Sequence, residues 1–339
     1  MKKITAVQFG LGPIGLESVR LAASHGAFDL KGGIDIDPQK IGRSLTDLIG
    51  QPSLENAKVW GSLEELLERT ETQVILHTAS SSAEKTLLQV RPALERGISV
   101  VSTCEELIFP ALKHPQLTEE YHRLCQRTGA RVVAAGVNPG FVMDLLPLVL
   151  TGISREVSSI YVERVVDASR RRQPLQAKVG SGQEPTAFAA RLRAGLAGHA
   201  GFRESLALVA HAVGWTLDSI TDECEPVVAQ QRIVTDYFDV PAGRTCGIRQ
   251  RCFGIVGDKA KISLSLQMSL GASNPHDTIV IEGKPHLNLT ISNGVAGDDA
   301  TVASLINVVP LLLNAQPGLK LLTDLQVPRW WKPIDRDSN

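Results

Sequence analysis

A glycine-rich segment close to the N-terminus constrains the fold of this chain more than any other feature. Ile4 to Phe9 is predicted to be a buried strand, Gly10-Leu11-Gly12-Pro13-Ile14-Gly15 matches the GxGxxG pattern, and Ile14 to His25 is predicted to be a helix. A lone GxGxxG is weak evidence, but a strand before it and a helix after it form the context in which such glycines cradle a pyrophosphate. The segment therefore predicts a dinucleotide site in a sheet of parallel strands.

The residues of this loop have separate predicted roles. Gly10 permits the tight turn, Gly12 lets the backbone approach a pyrophosphate, and Gly15 lets the helix pack close to the strand. The helix N-terminus adds unpaired N–H groups and a positive dipole. We expect cofactor contacts from the whole loop, which comprises Gly10, Leu11, Gly12, Pro13, Ile14 and Gly15.

The first 150 residues continue the alternation of short apolar runs and amphipathic segments, which is typical of βαβ units. Further strands are predicted at Leu30 to Ile36, Val74 to Thr78, Val100 to Thr103 and Arg131 to Ala135. Further helices are predicted near Leu63 to Arg69, Glu84 to Arg96 and Leu117 to Thr128. Residues 1–150 should therefore form a Rossmann-type domain, in which helices cover both faces of a doubly wound parallel sheet.

After about Gly152 the pattern changes to that of an α+β domain. A strand is predicted at Ser159 to Val166, and two helices near Pro185 to Leu196 and Phe202 to Val213. Arg232 to Ile291 contains β-rich runs broken by turn signals, which suits an antiparallel meander. Residues 151–297 should therefore form a substrate and oligomerisation domain with an open, mostly antiparallel sheet.

The C-terminal segment begins with a long apolar helix, predicted at Asp298 to Asn314 with Asp298 or Asp299 as its N-cap. We expect residues 298–339 to pack back on the first domain.

Charge and cysteine content narrow the partners. The 339 residues have a formal net charge of -1, so no global field attracts nucleic acid or an anionic membrane, and no run of about 18 apolar residues predicts a membrane span. Five cysteines without CxxC spacing suggest reduced thiols in a cytoplasmic protein, and they predict no metal site. The expected partner is a small molecule.

The choice between NAD and NADP depends on residues after the second strand. Asp35, 20 residues after Gly15, can bind both ribose hydroxyls and repel a 2′-phosphate, which favours NAD. Lys40 and Arg43 follow closely and could neutralise that phosphate, so NADP stays open. Alternatively, these two cations lie on a solvated helix face.

Ligands of open α/β sheets bind at the carboxyl ends of the strands. Thr78 and Ser80 follow one such end and could contact the nicotinamide ribose or the phosphates, whereas Ser81 or Ser82 could cap the next helix. Two further strand ends, Ser102 to Leu107 and Gly136 to Phe141, should face the nicotinamide. A carboxylate there could titrate near neutral pH and transfer protons.

Several segments together resemble one known family. They are Ile34 to Gly42, Ser102 to Leu107, Gly136 to Phe141, Glu163 to Arg172, Gly198 to Ser205 and Gly297 to Thr301. With the glycine loop, they resemble the 2,4-diaminopentanoate dehydrogenases and related native amine dehydrogenases, a branch of the dihydrodipicolinate-reductase-like superfamily. The resemblance covers nearly the whole chain.

The resemblance implies NAD(P)-dependent oxidative deamination of a primary amine or amino acid, and the reverse reductive amination of a carbonyl compound with ammonia. It places the catalytic carboxylate at Glu105, with Glu106 as the adjacent competitor and an exposed loop acid as the alternative. Cys104, at the same strand end, is expected to lie beside the cofactor.

The same resemblance suggests substrate contacts from Asn138, Phe141 and Arg164, with Asn138 also near the nicotinamide. Alternatively, Asn138 orders the turn before Pro139, and Arg164 pairs with Glu163 or Asp167, although strand alternation places those acids on the opposite face.

Other functions remain open at this point. The chain lacks the His-His-x-x-x-Lys type motif of dihydrodipicolinate reductases, which disfavours that reaction, although a related imine reduction is not excluded. Cys104 could instead form a thiohemiacetal in an aldehyde dehydrogenase, with His199 or His286 as base. A hydroxy-acid dehydrogenase and a non-catalytic NAD(P)-binding sensor are further alternatives. The open sheet is expected to form a homodimer.

Overall fold

The computed structural model describes residues 3–332. In chain order its strands are β1 (Ile4–Phe9), β2 (Phe28–Ile34), β3 (Lys58–Trp60), β4 (Val74–His77), β5 (Ser99–Ser102), β6 (Arg131–Ala134), β7 (Glu156–Asp167), β8 (Ser219–Val228), β9 (Ile233–Val234), β10 (Asp239–Val240), β11 (Thr245–Val256), β12 (Lys259–Ser269), β13 (His276–Lys284), β14 (Leu287–Ser292) and β15 (Gly318–Lys320). The α-helices are α1 (Pro13–His25), α2 (Leu45–Ile49), α3 (Leu63–Leu67), α4 (Ala83–Glu95), α5 (Pro115–Thr128), α6 (Leu145–Thr151), α7 (Gln173–Lys178), α8 (Pro185–Arg193), α9 (Phe202–Ala212) and α10 (Gly297–Asn314).

The chain forms two compact units. One unit contains residues 1–141 and 296–339, of which 1–2 and 333–339 lie outside the described part, and the other contains residues 142–295. The sequence had placed these boundaries at residues 150 and 298. The first falls earlier because α6 packs against α9, β7 and β13 and so belongs to the second unit.

The first unit is built on a parallel sheet of strand order β15-β6-β5-β4-β1-β2-β3. This order confirms the predicted Rossmann-type architecture, in which the order reverses between β1 and β4. Right-handed crossovers that leave the sheet in opposite directions place their helices on opposite faces. Accordingly, α1 packs with α10, whereas α4 packs with α3 and α5.

The long helix α10 begins differently from the prediction. Its N-cap is Ala296. Asp298 and Asp299 lie in the first turn instead, where their negative charges interact favourably with the helix dipole. The prediction of an aspartate cap was therefore wrong. The helix contacts β5 and β6 of the first unit, and β15 then pairs with β6.

The second unit contains a mixed sheet of order β14-β13-β7-β12-β11-β8, whose neighbours are antiparallel except for the parallel pair β7 and β12. The open, mostly antiparallel sheet is thus confirmed. The predicted continuous meander was wrong, because β7 lies between β12 and β13. Buried alternate residues such as Ile160 and Val162 make β7 a central strand. Helix α9 packs against β11 and β12.

Among the described residues, no helix has both the length and the apolar character that crossing a bilayer requires.

Candidate active site

The first unit brings most of the predicted site residues to one edge of its sheet. They follow the carboxyl ends of parallel strands: the glycine loop after β1, Asp35 after β2, Thr78 and Ser80 after β4, Cys104 and Glu105 after β5, and Asn138 and Phe141 after β6. Because β1 and β4 flank the point where the strand order reverses, this edge is where a doubly wound sheet binds its ligand.

The glycine loop has the geometry that a bound pyrophosphate requires. Gly10 has φ +88°, which L side chains rarely adopt. A Cβ on Gly15 would lie 1.9 Å from the carbonyl oxygen of Gly10, whereas a Cβ on Gly12 would meet no atom within 4 Å. Helix α1 begins at Pro13 with Gly12 as its N-cap, and no side chain of the N-cap residue binds the N–H groups of its first turn. The loop therefore fits a nicotinamide dinucleotide.

Two polar side chains hold this loop by hydrogen bonds. The Thr78 hydroxyl donates to the carbonyl oxygen of Gly10 at 2.9 Å, and Nε2 of the fully buried Gln8 donates to Thr78 Oγ1 at 3.0 Å. Ser80 accepts a hydrogen bond from the N–H of Ser82, which itself caps helix α4. The predicted cap at Ser82 is confirmed. The predicted contacts of Thr78 and Ser80 with the cofactor stay a hypothesis.

Asp35 lies directly after β2 and is hydrogen-bonded to the glycine loop. Its carboxylate accepts hydrogen bonds from the N–H groups of Leu11 and Asp37, each at 2.9 Å, and pairs with Lys40 at 3.1 Å. Partial burial acts to raise the pKa of Asp35, but the hydrogen bonds from Asp37 and Leu11 and the Lys40 charge hold it below its ordinary value. Asp35 is therefore a carboxylate at neutral pH.

The two cations after β2 have different surroundings. Lys40 pairs with Asp35 and Asp37, whereas the exposed Arg43 donates to the carbonyl oxygen of Asp47 at 3.0 Å. Both lie in the loop before α2, so the alternative of a helix face was wrong. Lys40 partly neutralises the carboxylate that would repel a 2′-phosphate.

Glu105 and Glu106 lie in a short 3-10 turn, Glu105–Ile108, directly after β5. The carboxylate of Glu106 accepts the N–H of Ala83, in the first turn of α4, at 2.9 Å and pairs with Lys113 at 3.0 Å. Burial acts to raise the pKa of Glu106, but these hydrogen bonds and the Lys113 charge lower it. Glu106 thus anchors the turn to α4, and half-buried Glu105 stays the predicted acid/base residue.

Cys104 is fully buried, and this burial raises the pKa of its thiol to about 11. A thiol rather than a thiolate is therefore present at neutral pH, and the thiol is a poor nucleophile. The geometry disfavours the thiohemiacetal mechanism.

The loop after β6 is tightly folded around its glycines. A Cβ on Gly140, which has φ +125°, would lie 2.5 Å from the nitrogen of Gly136. The N–H of Val137 donates to Thr301 in α10 at 3.4 Å. Asn138 and Phe141 are half-buried in this loop, and their roles toward a substrate stay predictions.

Arg164 lies in the second unit, where it forms a buried ion pair. Its Nε donates to Asp277 at 2.7 Å and its Nη2 to the carbonyl oxygen of Val295 at 3.0 Å. The alternative pairing with Glu163 or Asp167 was wrong, because Asp277 lies directly opposite on β13. The predicted contact with a substrate carboxylate is not tested by this geometry.

The two histidines considered as bases also lie in the second unit. Burial, with the nearby charges of Lys178 and Arg164, lowers the pKa of His199 to about 4, so its ring is neutral. His286 is exposed and pairs with Glu282 at 3.0 Å.

Between residues 3 and 332, no three His, Cys, Asp or Glu side chains lie close enough together to hold a metal ion.

Three buried polar residues near the site were not predicted to have a role. They are Gln8, His77 and Ser102, all with no exposed surface. A polar residue inside an otherwise apolar strand was the available signal.

Sequence and structure comparisons identify relatives of the whole chain. A family model for the 2,4-diaminopentanoate dehydrogenase C-terminal domain matches residues 141–338. A 2,4-diaminopentanoate dehydrogenase of Acetoanaerobium sticklandii is 31% identical over 336 residues, which cover 97% of this chain and 95% of that protein. An amine dehydrogenase of Streptomyces virginiae is 26% identical, with 93% and 94% covered.

A solved structure has the same fold. The amine dehydrogenase of Mycobacterium smegmatis matches with a TM-score of 0.85 at 22% identity, over 97% of each chain, which shows a shared fold. The family model covers more than half of this chain, and the Acetoanaerobium sticklandii protein aligns with nearly all of it. This chain is a member of the 2,4-diaminopentanoate dehydrogenase family.

Proposed function

We propose that this protein is an NAD(P)-dependent dehydrogenase that oxidises a primary amine or amino acid at its C–N bond, and that Glu105 is its acid/base residue. The observation that carries the proposal is the position of Glu105, on the turn after β5 at the sheet edge that also carries the glycine loop. Two of its relatives are named as a 2,4-diaminopentanoate dehydrogenase and an amine dehydrogenase.

The chemistry requires proton transfer beside the reacting carbon. A nicotinamide dinucleotide bound at the glycine loop supplies the hydride acceptor, or the donor in the reverse direction. In the oxidative direction, Glu105 first takes a proton from the substrate ammonium and passes it to solvent, and the C–H bond of the amine carbon then breaks with loss of hydride. The substrate becomes an iminium ion, which the Glu105 carboxylate stabilises by charge pairing.

The remaining steps also use Glu105. Water adds to the iminium carbon and loses a proton to the carboxylate, which gives a carbinolamine. Glu105 returns that proton to nitrogen, ammonia leaves, and the hydroxyl proton is released as the carbonyl forms. Reductive amination of a carbonyl compound with ammonia follows the same steps in reverse.

Asp35 and Lys40 together support the use of either NAD or NADP. The Asp35 carboxylate can accept hydrogen bonds from the ribose hydroxyls, while Lys40 at 3.1 Å supplies a positive charge that a 2′-phosphate could share. Arg43, exposed in the same loop, is a second candidate partner for that phosphate.

We infer a cytoplasmic homodimer that associates through the open sheet of the second unit. Half-exposed Arg249 and Arg251 of β11 pair there with Glu225 and Glu223 of β8, which gives this face an ordered pattern of charges. Light scattering of the purified protein tests the oligomeric state, and a monomeric mass at micromolar concentration would contradict it.

The activity is tested by following NAD+ and NADP+ reduction with amines, amino acids, alcohols and aldehydes. The proposal expects turnover with an amine or an amino acid. Glu105→Gln should lower kcat about a hundredfold or more and leave dinucleotide affinity unchanged, because the amide keeps the shape but accepts no proton.

Glu106→Gln is the matched control. It removes the charge that pairs with Lys113, so it should lower the thermal midpoint. Its loss of kcat should be smaller than that of Glu105→Gln. A larger kcat loss in Glu106→Gln than in Glu105→Gln would exchange the two assignments.

A further inference from the structure

A buried chain of hydrogen bonds ends at the turn that carries Glu105. His77 is the last residue of β4 and has no exposed surface. Its Nδ1 lies 2.9 Å from Oγ of Ser102, the last residue of β5, and its Nε2 lies 3.0 Å from Oε1 of Gln89 in α4. Ser102 Oγ in turn accepts the N–H of Cys104 at 3.0 Å.

The direction of each hydrogen bond follows from the state of the imidazole. Burial lowers the pKa of His77 to about 4, so the ring is neutral and one of its nitrogens bears a proton. Because Oε1 of Gln89 can only accept, Nε2 is the donor and Nδ1 the acceptor. The Ser102 hydroxyl therefore donates to Nδ1 and keeps its lone pairs for the Cys104 N–H. Both imidazole nitrogens and the Ser102 hydroxyl thus have a partner.

The segment between β5 and Glu105 is also held by backbone contacts. The N–H of Thr103 donates to the carbonyl oxygen of His77 at 2.9 Å, and the N–H of Leu107 donates to that of Cys104 at 3.2 Å. On the far side, Glu106 is tied to Ala83 at 2.9 Å. Glu105 thus lies between two anchored residues, one fixed through Ser102 and the other through α4.

Such anchoring matters more for catalysis than for folding alone. Apolar side chains of similar volume would fill this space without the risk of leaving a buried polar group unpaired. Proton transfer, in contrast, depends strongly on position, and a displacement of about 1 Å can lower a rate a hundredfold. The chain of three polar side chains ends one residue before the candidate acid/base group. It therefore fits the need of proton transfer for exact positioning better than a need of folding.

We propose that His77 and Ser102 are positioning residues, which hold the turn at Cys104 so that Glu105 meets the reacting C–N bond. The inference rests on the proposed function, since it assigns the acid/base role to Glu105. Neither residue touches the substrate in this proposal, and both act through the Cys104 amide.

The two ends of the imidazole can be tested separately. His77→Asn places an amide oxygen near the position of Nδ1 and keeps the acceptor for Ser102, whereas His77→Gln keeps only the contact toward Gln89. Both variants and Ser102→Ala should be measured for kcat, dinucleotide Kd, thermal midpoint and exchange of the Cys104 amide hydrogen. We expect His77→Gln and Ser102→Ala to lower kcat about tenfold or more with unchanged Kd, and His77→Asn to stay within about twofold of the natural protein.

A second comparison asks whether the effect passes through Glu105. Introduced into Glu105→Gln, Ser102→Ala should cause no further loss of kcat, because residues that act through one group are not additive. An equal loss in both backgrounds would overturn the proposal, and so would equal kcat values for the two folded His77 variants.

Hydrogen exchange of the Cys104 amide tests the anchoring independently of the proposed acid/base role of Glu105. Cys104 exchange should be faster in His77→Gln than in His77→Asn, whatever the substrate is, and equal exchange would overturn the anchoring. If Glu105→Gln is fully active, the acid/base assignment fails, although faster Cys104 exchange would still show the anchoring itself.

Discussion

Arg164 and Asp277 lie directly opposite each other on β7 and β13, and Nε of the guanidinium donates to Oδ1 of the carboxylate at 2.7 Å. Both side chains are buried, and Asp277 also accepts the N–H of Val295 at 2.8 Å. Removing one charge leaves the other buried and unpaired. We expect Asp277→Asn to lower the free energy of unfolding by about 3 kcal/mol, measured by thermal and urea denaturation.

The double variant Arg164→Met with Asp277→Leu is the control for this prediction. It removes both charges at similar volume, so it should be more stable than Asp277→Asn. If Asp277→Asn unfolds at the same midpoint as the natural protein, the ion pair does not stabilise the second unit.

The second prediction separates cofactor binding from folding within the glycine loop. Gly12→Val should keep the thermal midpoint and abolish dinucleotide binding, because its side chain enters space that no protein atom occupies. Gly15→Ala should lower the midpoint, because its Cβ would lie 1.9 Å from the carbonyl oxygen of Gly10. Calorimetric titration of folded Gly12→Val with NAD+ and NADP+ checks the first part. Unchanged affinity would mean that the phosphates bind elsewhere.

The third prediction concerns the choice of dinucleotide. Asp35→Ala should raise the affinity for NADP relative to NAD, because it removes a charge that repels the 2′-phosphate and an acceptor for the ribose hydroxyls. Lys40→Ala should shift the preference the opposite way, because it removes a positive charge 3.1 Å from that carboxylate. Kd values for both dinucleotides test this pair. Shifts in the same direction for both variants would contradict the expected arrangement.

The fourth prediction is a loss of stability on acidification that comes from His77. Burial lowers its pKa from 6.5 to about 4, so between these values the unfolded chain binds more protons than the folded one. The free energy of unfolding should therefore rise with pH through this window. The contribution of His77 should be complete above pH 6.5 and should fall by about 3 kcal/mol toward pH 4. His77→Asn should flatten the dependence, as measured by urea denaturation at several pH values. His199 contributes in the same direction, so part of the pH dependence should remain in His77→Asn. If the free energy of unfolding changes equally with pH in His77→Asn and in the natural protein, His77 is not a source of the dependence.

The fifth prediction tests the aldehyde mechanism. Cys104→Ser should keep amine turnover within about threefold, because the buried thiol, with its pKa raised to about 11, provides no thiolate. Thiohemiacetal chemistry would be lost in this variant. Steady-state rates with amine and aldehyde substrates distinguish the two, and loss of all activity in folded Cys104→Ser would favour the aldehyde mechanism.

The sequence predicted the elements in which a local pattern and a buried face agree. For β1 the predicted and observed bounds are the same, Ile4–Phe9, because an apolar run ends at a glycine loop there. Strand β8 (Ser219–Val228) was not predicted, because it is an edge strand with mostly exposed or half-exposed residues and has no apolar alternation. The place of β7 between β12 and β13 depends on pairing across more than a hundred residues, which a local pattern does not encode.

The candidate site divides in a similar way. Glu105, Asp35 and the glycine loop could be predicted because each follows the carboxyl end of a predicted strand. The contact of His77 with Ser102 could not, because it depends on β4 and β5 being neighbours and on two side chains that face each other at their ends. Likewise, the partner of Arg164 follows from strand register and not from sequence spacing.

The return of α10 and β15 to the first unit has a consequence for synthesis on the ribosome. Arg131 at the start of β6 donates a hydrogen bond to the carbonyl oxygen of Ala315, 184 residues further along the chain. At about 5 to 20 residues per second, roughly 10 to 40 s pass between translation of these two positions. During that interval the nascent chain exposes the edge of β6 and the surface that α10 later covers. The dinucleotide-binding unit therefore completes its folding only after the whole second unit has been made.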